Sequence, residues 1–187
     1  MKFRTLVLTL LTVVFISSLF AAEEKAPPKQ LQTIGANSYG AETLESLTTV
    51  GLVKLNRTLI THELNVNGSL IAQGATIGSV EVIGEANLTD TIIQNGGTIL
   101  GYLQTHHATV NMPLIINGQK ASLTSSKLVG ITVRTMDAFK GTQIIELRQK
   151  TIVDGPITFE SGKGEVHLYS GSQVLGPVSG GKVIKKN

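Results

Sequence analysis

Glycine recurs in this chain at a nearly fixed step, and no other feature narrows the choice of folds so far. Val66-Asn67-Gly68 is followed sixteen residues later by Val82-Ile83-Gly84, and the step runs through Gly51, Gly68, Gly84, Gly101 and Gly118 at intervals of 17, 16, 17 and 17. The next step lands on Thr135, two longer ones reach Gly155 and Gly176, and Gly35 lies one interval upstream of Gly51. The flanking positions keep phase with these glycines. Two residues before each step stand Thr49, Val66, Val82, Ile99, Ile116, Val133, Val153 and Val174. Four before it stand Leu47, Leu64, Val80, Gly97, Leu114 and Ile131. Nine after it stand Leu44, Ile60, Ile77, Ile93, Val110, Lys127 and Ile144, of which Lys127 alone breaks the apolar column.

Within each repeat the apolar residues alternate with polar ones (Leu64, Val66; Ile131, Val133), which is the period of a strand. A unit of about 17 residues holds three short strands and three corners, and one such coil cannot bury its own inner face. Stacking coils in parallel at about 4.8 Å buries it. The expected fold is all-β: a single-stranded parallel β-helix, or β-solenoid, right-handed and triangular, with about seven coils between Gly51 and Gly176. The repeating glycines are expected at tight corners that need positive φ. A left-handed hexapeptide helix fits less well, since its 18-residue coil with an aliphatic residue at every sixth place does not hold here. The longer steps after Thr135 predict an insertion or bulge near residues 140–150, and residues 41–47 are open to a short capping helical turn.

The first residues stand apart from this pattern. Lys2 and Arg4 precede an apolar run over residues 6–22, and a polar stretch follows, which is the layout of an export signal. The run is at the short limit for spanning a bilayer, and the residues before Ala21 and Ala22 make a poor cleavage site, so residues 1–22 read as a signal peptide or as an uncleaved membrane anchor. Residues 23–34, with Pro27 and Pro28, read as a linker, 35–181 as the solenoid and 182–187 as a basic tail. The chain has no cysteine, which excludes disulfides and a lipid-anchored mature end. Of 16 Lys and Arg, two lie in the leader; the remaining 14 face 13 acidic residues, so the body is nearly neutral and nucleic acid is not an expected partner.

The run over residues 64–133, with aliphatic-x-aliphatic-x-Gly once per 16 to 17 residues, resembles the bactofilin-type polymer-forming β-helices of bacteria. The resemblance implies a β-helix that self-assembles, and it carries over no ligand or catalytic residue. Bactofilins are typically cytosolic or attached to the inner face of the membrane, whereas this chain begins with an export signal.

Chemical motifs are sparse. His106 and His107 are adjacent, which on a strand sends them to opposite faces unless a corner intervenes, and His62 and His167 fall at other phases. No metal site, cofactor or catalytic residue is expected from them. Gly176 to Lys182 matches the start of a phosphate loop, but Val183 stands where Ser or Thr would hold magnesium and no room remains for a helix. Three Asn-x-Ser/Thr triplets begin at Asn56, Asn67 and Asn87 and read as solenoid corners. Glu81, Glu85, Glu160 and Glu165 read as isolated acids on outward positions. The expectation is an exported structural or scaffold protein, in the periplasm or at the cell surface, whose main partner is itself. Envelope polysaccharide or another envelope protein is the second partner class, and a surface adhesin or binding module is the alternative function.

Overall fold

The computed structural model describes residues 29–187; the leader and the start of the linker lie outside the described residues. The described chain is wound entirely from parallel strands. The first four are long: β1 (Lys29–Tyr39), β2 (Thr43–Asn56), β3 (Leu59–Gln73) and β4 (Thr76–Thr89). Shorter strands follow: β5 (Ile92–Ile93), β6 (Gly97–His106), β7 (Thr109–Val110), β8 (Leu114–Asn117), β9 (Lys120–Thr124), β10 (Lys127–Leu128) and β11 (Ile131–Val133). The last are β12 (Gln143–Arg148), β13 (Ile152–Val153), β14 (Ile157–Phe159), β15 (Gly164–Leu168), β16 (Gln173–Val174), β17 (Val178–Ser179) and β18 (Gly181–Lys185). Each pairs in parallel with the strand one coil away, as in β7–β10–β13–β16, β8–β11–β14–β17 and β9–β12–β15–β18. Three ladders therefore run the length of a β-solenoid, one along each flank.

The column through Leu31, Leu47, Leu64, Val80, Gly97, Leu114, Ile131, Ile157 and Val178 counts about nine turns over the whole described chain, where seven were expected between Gly51 and Gly176 alone. One of the added turns is β1, whose first part, residues 29–34, falls in the expected linker: from Lys29 onward the chain is already paired with β2. Residues 43–47 are strand, not a helical turn, because Leu44 and Leu47 belong to inward columns and are 1% and 0% exposed.

The core is aliphatic. On the first flank Val66, Val82, Ile99, Ile116 and Val133 stack in register, and on the third Ile60, Ile77, Ile93 and Val110 do, all buried. On the second flank large and small residues interlock from coil to coil: Leu70 and Ala72 lie against Ala86 and Leu88. Burying each such Leu or Ile is worth about 2 kcal/mol, so stacking supplies what a single coil lacks. Among the described residues Phe159 is the one aromatic in the buried hydrophobic core, and it fits because its ring lies over Gly164 and Gly181, where any Cβ would collide with it.

The glycine column is continuous from Gly35 through Gly51, Gly68, Gly84 and Gly101. The strands bend there without breaking the ladder, and Gly51, Gly68, Gly84 and Gly101 hold φ between +128° and +141°. Gly118 stacks on Gly101 without positive φ. Gly155 and Gly176 do not belong to this column. Val153 pairs with Leu128 and Val174, which puts these two glycines at the corner between the third and first flanks, before Pro156 and Pro177.

The slip begins with one residue. Leu103 pairs with Ala121 at a spacing of 18, whereas Ile99 pairs with Ile116 at 17, so an extra residue enters between Gly118 and Ala121. Hence Leu128, not Lys127, fills the column over Val110. The larger insertion is the irregular segment 134–142, followed by a turn at Gln149 and Lys150, both with positive φ. Its effect is to take Ile144 out of the core. Ile144 pairs with Lys120 and Glu165 at outward positions, and Ile145, 1% exposed, is the buried residue.

Candidate functional site: coil edges and a charged flank

A solenoid presents two kinds of functional surface, the strand edges of its end coils and the flanks between. At one end β1 hydrogen-bonds with β2 along one side only, and among the described residues nothing pairs with its other side. Alternation makes Leu31, Thr33, Asn37 and Tyr39 half-buried toward the coil interior and leaves Gln32, Ile34, Ala36 and Ser38 exposed. Between Gln30 and Tyr39 there is no charged side chain, and Ile34 is 86% exposed. β1 is tied to β2 at the inner side by a hydroxyl pair, Thr33 Oγ1 to Thr49 Oγ1 at 2.9 Å.

The other end is built differently. β16, β17 and β18 are short, and Gly176, Pro177 and Gly180 lie between them. Lys185 pairs with Leu168, so a lysine takes the place that Leu123 and Leu147 fill, fully buried, in the coils below. Lys182 reaches Glu165 at 3.2 Å. The apparent phosphate-loop motif dissolves into this coil: Gly181 and Lys182 are strand residues paired with Gly164 and Glu165.

Charge concentrates on the second flank near this end. Glu146 is 8% exposed although it occupies an outward position, because Lys120 (2.9 Å) and Arg148 (3.1 Å) close over it. Arg148 in turn lies on the Tyr169 ring, 3.8 Å from its centroid. Burial raises the Glu146 carboxyl, but the hydrogen bonds and charges of Lys120 and Arg148 outweigh it and hold the group below its ordinary range. One coil on, His167 Nε2 and Glu165 Oε2 are 2.8 Å apart. The hydrogen bond from His167, then that from Lys182, lowers Glu165 as well. With both carboxylates held ionised, this flank offers fixed charge and hydrogen bonding, and neither acid is a proton donor near neutral pH.

Glu165 reads from the sequence as an isolated acid; the structure pairs it with His167. The signal was present, since residues i and i+2 of a strand share a face. The remaining histidines lie at corners or on exposed strand. His107 has φ +52°, so a corner does intervene and its ring lies 4.0 Å from that of His106. His107 pairs with Asp90 at 3.4 Å, and His62 stands 4.0 Å from Glu45. Among the described residues no group of three or more His, Asp or Glu is placed to hold a metal ion. Asn56 precedes the corner at Arg57 and Asn67 precedes the Gly68 bend, but Asn87 lies within β4, bonded to Glu85 at 2.9 Å.

A second corner column runs through the rod without a shared residue type to mark it. Arg57, Gly74, Asp90, His107 and Ser125 all have φ between +48° and +63°, in phase with the repeat. Next to each stands a small residue, Thr58, Ala75, Thr91, Ala108 and Ser126, all buried, with Thr151 and Ser172 continuing the column. The hydroxyls in this column bind carbonyls at the turn: Thr91 Oγ1 donates to Thr89 O (2.8 Å) and Thr151 Oγ1 to Arg148 O (2.7 Å). No protein-family model matches the chain, and neither curated proteins nor solved structures yield a match.

Proposed function

We propose that this chain is an exported, non-catalytic structural or scaffold protein of the bacterial envelope that self-associates through its β-solenoid. The observation that carries the proposal is the β1 edge: eleven residues with an unpaired side among the described residues, uncharged from Gln30 to Tyr39 and carrying an exposed isoleucine. Such an edge is a template for another strand. Two sequence features support it, the leader over residues 1–22 and the resemblance of residues 64–133 to polymer-forming bactofilin-type helices. The place of action is the periplasm or the cell surface, with residues 6–22 as an inner-membrane tether if they are retained.

The test is light scattering and sedimentation over a concentration series on the chain purified from the envelope fraction. Mass that rises with concentration supports self-association, and a strict monomer at the highest concentration removes it. A second reading, a binding module for glycan or protein, draws on Tyr102 and Tyr169 on the second flank. The two rings stand in different columns, and Arg148 already covers that of Tyr169, so no continuous stacking platform supports it.

A further inference from the structure

The two ends of the rod differ in chemistry in a way that decides how copies can join. At the β18 end, a further coil would have to stack on Lys185 at an inward position, flanked by Lys182 and Lys186. Burying an unpaired ammonium is strongly unfavourable, and inward or edge lysines are a common means of blunting an edge. Head-to-tail stacking would set Lys185 against Tyr39 and Val183 against Asn37, since those residues share columns through the rod. Neither pairing is complementary.

The β1 edge is complementary to itself. β1 bends at Gly35, φ +91°, so that residues 31–34 lie on one flank and 36–39 on the next. A twofold axis through the bend lays the first arm of one copy along the second arm of the other, antiparallel, with interior facing interior. Leu31 then meets the partner's Tyr39, Thr33 the partner's Asn37, Ile34 the partner's Ala36 and Gln32 the partner's Ser38. Apolar meets apolar or polar meets polar in all four pairs, and inward and outward positions match in each.

We propose that two copies join edge to edge through β1, antiparallel about a twofold axis at Gly35, and that the assembly closes at a dimer because the lysine-bearing end does not stack. This rests on the reading of the chain as self-associating, and it adds the surface, the partner and the stoichiometry. An isologous contact of this kind closes on itself, whereas a head-to-tail contact would propagate into a filament.

The chain has no cysteine, so introduced thiols report contacts without background. Full-length chains carrying Gln32→Cys and Ser38→Cys, with different tags, are produced together and oxidised in the envelope fraction. The expected result is a covalent mixed dimer at least about tenfold more abundant than that from Gln32→Cys with Ser179→Cys, the pair a head-to-tail stack would bring together. Ile34→Lys, at a site too exposed to matter for folding, is expected to weaken association of the otherwise unaltered chain by at least about tenfold. A crosslink confined to the Ser179 pair overturns the inference, as does undiminished association of Ile34→Lys. If the unmodified chain never associates, the self-association reading itself fails; if it associates without the Gln32–Ser38 crosslink, only the β1 interface fails.

Discussion

At Gly68 two constraints meet. Its φ of +141° is one that L side chains rarely adopt, and a Cβ there would be driven into the carbonyl oxygen of Gly51 in the coil below. Gly35 separates the two effects, because it shares the positive φ, +91°, but a Cβ on it meets open space. Gly35→Ala is expected to cost about 1 kcal/mol, the backbone term alone. Gly68→Ala is expected to cost more than about 3 kcal/mol, because the ladder must also part to admit the methyl group. Urea denaturation of the two variants measures the difference; equal losses would mean that backbone conformation alone selects glycine. The glycine column was legible in the sequence because only one residue type satisfies it. The second corner column was not. Arg57, Asp90, His107 and Ser125 share no side-chain chemistry, and single non-glycine residues tolerate the left-handed region at a modest cost, so no residue type marks the place.

Strands and corners show where a periodic reading succeeds and where it slips. Columns from Gly51 to Gly118 follow one period, and every aliphatic residue assigned to the core there is buried. Beyond Gly118 the extra residue before Ala121 and the 134–142 insertion shift the register, and a fixed step cannot sense a corner that lengthens while the strands stay in place. That is why a fixed step carries Gly155, Gly176 and Ile144 into the wrong columns and gives no sign that Lys120 and Arg148 enclose Glu146. Two predictions belong to these elements. Thr151 is fully buried; its hydroxyl donates to Arg148 O at 2.7 Å, lies 2.9 Å from Leu123 O and accepts the Ser126 N–H at 3.2 Å. Thr151→Val keeps the shape but leaves that N–H without its partner, and a loss of about 1–3 kcal/mol in thermal or chemical unfolding is expected. Glu146 has a folded pKa below its ordinary 4.5, so its contribution is complete above that pH and is lost as pH falls through the folded value. Glu146→Gln should therefore lower stability at pH 7 by about 1 kcal/mol, its partners being half-exposed, and flatten the acid loss below about pH 4.5. Denaturation curves from pH 3 to 7 test it, and parallel curves for the two proteins would contradict it.

For the whole molecule, contacts run almost entirely between neighbouring coils, so stability is a sum of coil terms and interfaces and must decline toward any end that lacks a neighbour. In the isolated chain, amide hydrogen exchange should be slowest in β3, β4 and β6, which have coils on both sides and fully buried columns, and faster in β1 and in β16–β18. The dimer proposed above changes only one end of that gradient. Pairing β1 with its counterpart gives its outer N–H groups partners and converts an end coil into an interior one, whereas the lysine-bearing coil stays terminal. Raising the protein concentration through the association range should therefore slow exchange in β1 by at least about tenfold, with β16–β18 unchanged. Equal slowing at both ends would indicate a propagating stack in which Lys185 finds a partner at the interface. Slowing on the second flank around Glu146 and Tyr169 instead would point to lateral contact. A rod whose two ends respond alike cannot carry the chemical asymmetry read from Ile34 at one end and Lys185 at the other, so the exchange profile tests the assembly rule on the unmodified chain.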